Sequence, residues 1–86
     1  PTLFPYTTLF RSDGTFYYHG GYRVKVADTV GSGDNFLAGF IYKLMNNAPA
    51  DETLSFACAL GAMVASHHGA NPEISLQDIQ DFMYPA

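Results

Sequence analysis

A chain of 86 residues that is 48% hydrophobic and 14% charged has room for one small domain, and a formal charge of -4 argues against a nucleic-acid surface. Its four cations, Arg11, Arg23, Lys25 and Lys43, are scattered rather than striped, and Cys58 is the only cysteine, which excludes an internal disulfide and fits a reducing, cytoplasmic compartment. No uninterrupted apolar run reaches the ~18 to 20 residues of a membrane span, and the N-terminus lacks the basic start, apolar centre and cleavage site of a signal peptide. A chain this short buries only ~60% of its unfolded surface, so its apolar content points to faces covered by further chain or by a partner.

Residues 1–12 read PTLFPYTTLFRS without an initiator methionine. The run looks like the translation of a common sequencing adapter fused in frame to a truncated gene. It is therefore assigned neither structure nor function, the alternative being an irregular apolar arm, and the biological sequence is expected to begin near Asp13. Asp13-Gly14 opens a turn, and Thr15 to Tyr18 is β-branched and aromatic, as strands prefer. His19-Gly20-Gly21 gives the next reversal and Tyr22 to Val26 a second strand, so the two are expected to form a hairpin or adjacent pair. His19 reads as turn chemistry, and Tyr17, Tyr18 and Tyr22 as strand packing rather than a base-stacking platform.

From Gly33 to about Asn46, the residues Phe36, Leu37, Phe40, Ile41 and Leu44 recur at helical spacing and predict one covered face. Ala38 and Gly39 are small enough to admit a neighbouring backbone. A second helix is expected from Pro49 to His67, with Asp51 and Glu52 in its first turn and His67 and His68 in its last, as the helix dipole prefers. Its middle, Phe56 to Ala65, is apolar all round and needs more cover than so short a chain is expected to supply. Cys58 lies in this stretch and reads as a small buried hydrophobe rather than a nucleophile. His67 and His68 are adjacent, so their side chains diverge and do not chelate as an i, i+4 pair does. Gly69 is expected to end the helix. Ser75 to Asp78 then resembles a capping box that opens a third helix, with Leu76, Ile79, Phe82 and Met83 on one side.

The chemistry is concentrated in Asp28-Thr29-Val30-Gly31-Ser32-Gly33-Asp34. Two glycines around a serine let the backbone turn tightly and aim several N–H groups at one point. The helix that follows puts those groups at its N-terminus, where anions are favoured, and Asp34 places a carboxylate on the first turn beside them. An anion cradle next to a proton acceptor suits phosphoryl transfer to a hydroxyl, which depends mostly on positioning and on stabilising oxygen charge. Asp34 could instead be only a helix-start carboxylate worth ~0.3 to 1 kcal/mol, and Asp28 a loop carboxylate capping backbone N–H groups.

The seven-residue run, the helix after it and His68-Gly69-Ala70-Asn71-Pro72 in register resemble the ribokinase/PfkB carbohydrate kinases, over about Gly14 to Met83. Ser32 stands where alanine is commonest, a change found in fructokinase-like members. The resemblance implies an α/β fold, the chain being a C-terminal fragment of a three-layer α/β/α kinase with a short strand pair followed by three helices. It implies ATP-dependent phosphorylation of a sugar such as fructose, with Mg²⁺, and allows a homodimer of the full-length protein. Asp34 matches the catalytic base, and Gly31, Ser32 and Gly33 match the anion hole. Asn71, Cys58 and Gly61 align with the nucleotide side. Asp28, Val30, Val64, His67, Gly69 and Glu73 align with a monovalent-cation (K⁺) site, although Glu73 departs from the small residue usual there. The sugar-binding lid and the acidic motif for Mg²⁺ belong to the N-terminal part of such kinases, so the chain alone is expected to be inactive. A nucleotide-binding or pseudokinase module, and a kinase of nucleosides or sugar phosphates, are the alternatives.

Overall fold

The computed structural model describes residues 2–4, 8–12, 14–27, 31–66 and 74–85. Four short strands come first, β1 (Thr2–Phe4), β2 (Thr8–Ser12), β3 (Thr15–His19) and β4 (Tyr22–Val24), followed by helices α1 (Ser32–Met45), α2 (Ala50–Ala65) and α3 (Leu76–Met83). The architecture is α/β.

The strands do not pair as their spacing suggests. β3 and β4 are not partners: β2 pairs with β3 and β1 with β4, both antiparallel. The result is a β ribbon of two separate ladders, with Ser12 opposite Thr15 in one and Thr2 opposite Val24 in the other. The first twelve residues, given no structure from their sequence, thus hold both partner strands. The His19 Nδ1 accepts a hydrogen bond from the Gly21 N–H at 2.9 Å, across the step from β3 to β4.

α2 is the centre of the molecule. Leu54, Phe56, Ala57, Cys58, Ala59, Ala62, Val64 and Ala65 are all buried, so the chain does supply the cover that this apolar helix needs. α1 lies against one side of it. α3 packs on another through Ile79, which joins Phe56 and Ala59 in the core with Tyr22, Leu60, Met63 and Phe82 around them. The ribbon closes a third side, where the Tyr22 hydroxyl and Ser55 Oγ are 2.8 Å apart and the Tyr22 ring meets Phe82 at 5.1 Å.

The face that α1 buries is only partly the expected one, with Phe36 and Phe40 half-buried. Ser32 and Gly39 are its buried residues, whereas Leu37, Ile41 and Leu44 are exposed. The close approach of the two helices explains this. A Cβ placed on Gly39 would sit 3.1 Å from Leu60 Cδ2 and 3.4 Å from Phe56 Cδ2, and one on Gly61 would sit 3.5 Å from the Ser32 carbonyl oxygen. Backbones this close leave room in the seam for small residues and for Phe36 over Gly61, while Leu37, Ile41 and Leu44 turn outward. Lys43 spans the far end of the seam, 3.2 Å from Glu52 and over the Phe56 ring.

The helix ends follow local rules. α1 stops in a Schellman arrangement, with Asn47 left-handed (φ 56) and the Ala48 N–H donating to the Lys43 carbonyl. α2 ends at Ala65 with Ser66 as its C-cap, two residues short of the expected His67. His67, His68 and Gly69 lie outside the described residues. The capping box forms as its sequence indicates: Ser75 Oγ accepts from the Asp78 N–H, and Asp78 Oδ2 accepts from the Ser75 N–H. The Ser75 N–H, and after it the Ser75 hydroxyl, hold the exposed Asp78 carboxyl below the usual aspartate pKa.

Candidate functional site

The N-terminus of α1 begins at a backbone conformation that only glycine adopts at little cost. Gly31 is the N-cap residue, with φ 80 and ψ -9, and has no side chain to satisfy the first-turn amides. The chain therefore enters α1 from a left-handed residue, and the N–H groups at the start of the helix point out along its axis. Ser32 is buried against α2, Gly33 is exposed, and a Cβ added to Gly33 would meet nothing within 4 Å among the described residues. Open space beside a helix N-terminus suits the bulk and charge of a phosphate group. Asp34 follows in the same turn, exposed to solvent. The structure thus brings Gly31, Ser32, Gly33 and Asp34 together on one turn.

The sequence also points to residues set back from this turn. Cys58 is fully buried on α2 and forms no disulfide. Gly61 is buried where α2 touches the first turn of α1, against Phe36 and the Ser32 carbonyl. Its observable part is to let α2 approach the turn that carries Ser32. Asn71, expected on the nucleotide side, lies outside the described residues, as do Asp28, Val30, His67, Gly69 and Glu73 of the expected cation site. Val64, the sixth residue of that set, is buried near the end of α2. Among the described residues, no group of three or more His, Cys, Asp or Glu could hold a metal ion.

Two connections were not foreseen. The Ala27 N–H donates to the Ala65 carbonyl at 2.8 Å, which ties the chain just before Asp28 to the chain just after Val64. Sequence carries no mark of it, since main-chain groups make the bond. The second is Asn35, whose Nδ2 donates to the Gly31 carbonyl at 2.8 Å while its own backbone N–H donates to the same oxygen at 3.0 Å. A polar residue one turn after a glycine at a helix start is a signal that could have been read. Asn35 also borders a groove of about 240 Å³, with Gly39, Tyr42, Phe56, Leu60 and Ile79 among its lining. Neither Cys58 nor Gly61 lines it.

Comparison with known proteins places this geometry in a wider setting. A family model described as "pfkB family carbohydrate kinase" matches residues 7–76. The chain is similar to an ATP-dependent ribose-1-phosphate kinase of Halopiger xanaduensis, 34% identical over 67 residues that cover 78% of this chain and 23% of that protein. It is also similar to a fructokinase of Solanum tuberosum, 36% identical over 62 residues that cover 64% of this chain and 19% of the relative. A putative ribokinase II from E. coli superposes with a TM-score of 0.82 at 25% identity, over 91% of this chain and 25% of that one. A 2-dehydro-3-deoxygluconokinase from Thermotoga maritima shares the fold, with a TM-score of 0.80 at 21% identity over 90% of this chain and 23% of that one. The chain therefore spans about a fifth to a quarter of the length of the proteins it matches. No described helix is long and apolar enough to cross a membrane.

Proposed function

The chain belongs to the pfkB family of carbohydrate kinases, and from that premise we propose that it is the anion-binding portion of an ATP-dependent sugar kinase. One observation carries the reading: a left-handed Gly31, an open Gly33 and an exposed Asp34 share the first turn of α1. In this reading the N–H groups of Gly31, Ser32 and Gly33 hold the transferring phosphoryl group of ATP. Asp34 accepts the proton of the sugar hydroxyl as its oxygen attacks phosphorus and the bond to ADP breaks. Preorganised N–H donors stabilise the charge that develops on the phosphoryl oxygens. Mg²⁺, when bound with ATP, neutralises phosphate charge. Asn71, Cys58 and Gly61 are assigned to the adenine side. The substrate is proposed to be fructose or a related sugar, an assignment supported by the serine in Gly31-Ser32-Gly33 and by the likeness to a fructokinase. A cytoplasmic setting is supported by the lone, buried Cys58, and a homodimer of the complete kinase is left open by the exposed face of α1.

A K⁺ site built from Asp28, Val30, Val64, His67, Gly69 and Glu73 is part of the proposal. The Ala27–Ala65 hydrogen bond supports it, because it joins the two chain segments from which those residues come. Because the chain corresponds to about a quarter of its relatives, it is proposed to hold nucleotide on its own without phosphorylating sugar.

The test has two arms. In a complete kinase carrying this portion, Asp34→Ala is expected to lower kcat by ~10²- to 10⁴-fold, the span of general-base assistance, with ATP affinity unchanged. A variant that retains most of its kcat would remove Asp34 from the mechanism. For the 86-residue chain, ATP with Mg²⁺ should raise the melting temperature; an unchanged melt would favour a portion that holds no nucleotide.

A further inference from the structure

We propose that Asn35 is a positioning residue of the anion cradle: its side-chain amide locks the Gly31 peptide and so sets the direction of the Ser32 N–H. The inference rests on the phosphoryl-binding reading above and adds a residue outside the Asp28–Asp34 run.

The Gly31 carbonyl oxygen accepts two hydrogen bonds from the same residue, one from the Asn35 backbone N–H at 3.0 Å and one from Nδ2 at 2.8 Å. The first is the ordinary bond that closes a helical turn. The second is not required by the helix and occupies the carbonyl's other lone pair. The peptide bearing that carbonyl also bears the Ser32 N–H, which points the opposite way because a trans peptide is planar. Holding one edge of the plane therefore aims the other. Gly31 is where such a brace matters, since glycine samples both signs of φ and here must stay at φ 80. The Asn35 side chain is confined for this task, half-buried beside Ala38 and Tyr42 at the mouth of the α1–α2 groove.

A brace of this kind separates from ordinary stability. Asparagine is a poorer helix former than alanine, so helix propensity alone predicts that Asn35→Ala leaves α1 unharmed or better formed. If Asn35 aims the Ser32 N–H, the same change must weaken the grip on phosphate. Serine is the rescue variant, because its hydroxyl can reach the carbonyl one turn back.

The experiment compares the full 86-residue chain with Asn35→Ala and Asn35→Ser. Without ligand, NMR should show two distinct Gly31 Hα shifts in the wild type and in Asn35→Ser, and a merged pair in Asn35→Ala. With ATP and Mg²⁺ as the probe, Asn35→Ala should bind about two- to tenfold more weakly, the effect of one net hydrogen bond. Asn35→Ser should recover part of that loss, and the three melting temperatures should agree. Wild-type Gly31 shifts in Asn35→Ala, or equal affinity in all three proteins, would overturn the proposal. Absence of ATP binding by the wild type would instead count against the phosphoryl-binding reading, and the Gly31 resonances would then decide the role of Asn35.

Discussion

α1 and α2 are both apolar helices, yet one is sealed and the other is half open. On α2, Leu54, Phe56, Ala57, Cys58 and Val64 are at most 3% exposed. On α1, Leu37, Ile41, Leu44 and Met45 are 56%, 45%, 48% and 78% exposed. The difference lies in side-chain size rather than in hydrophobicity. α2 is built of Ala, Gly, Cys and Thr at positions that three neighbours can approach, so it is covered all round. α1 touches α2 through Ser32, Phe36, Gly39 and Lys43, and its bulkier stripe is left over. The helix that begins at the candidate site is thus held from one side, against a rigid partner.

That contrast can be broken by experiment. Leu54→Ala, deep in α2, should lower the unfolding free energy by ~2 to 5 kcal/mol, whereas Leu37→Ala on the open face of α1 should change it by no more than about 0.5 kcal/mol. Denaturant titration of the two variants measures the gap, and equal losses would mean that α1 is as well covered as α2. The seam itself is tested by Gly39→Val, which would press on Leu60 and Phe56 and is expected to cost ~1 to 3 kcal/mol. A neutral result there would show that the helices can part without penalty.

The smallest effect concerns the far side of α2, where the ribbon seats Tyr22 on Ser55. Partial burial lowers the His19 pKa below its ordinary value, and Nδ1 must be unprotonated to accept the Gly21 N–H. The folded protein therefore binds fewer protons here than the unfolded chain. The resulting stability is present above the ordinary histidine pKa and is lost as pH falls through the folded value. The melting temperature should drop below about pH 6.5. His19→Asn, which can accept the same N–H without titrating, should flatten that part of the profile. Identical profiles would assign the drop to other groups.

Local chemistry was legible in the sequence. The capping box at Ser75 and Asp78, the acidic first turn of α2 and the helix start after Gly31 all depend on residues within four positions of one another. Features that depend on distant partners were not legible. The spacing of Phe36, Leu37, Phe40, Ile41 and Leu44 marks an apolar stripe, but which stripe is buried depends on how close α2 comes, which Gly39 and Gly61 decide. β3 and β4 look like a hairpin because they are neighbours in sequence, and the arm that pairs with them lies in residues given no structure. At the candidate site, Gly31 to Asp34 could be read from one motif. Asn35 was overlooked because its partner is a main-chain oxygen rather than another side chain.

The bond from Ala27 to Ala65 has an evolutionary corollary. A joint made of peptide groups uses no side chain, so at the half-buried Ala27 it constrains the main chain alone. The one replacement there that deletes its donor is proline. Drift at position 27 should therefore be wide in every direction but that one, whereas Ala65 is also held by its burial in α2.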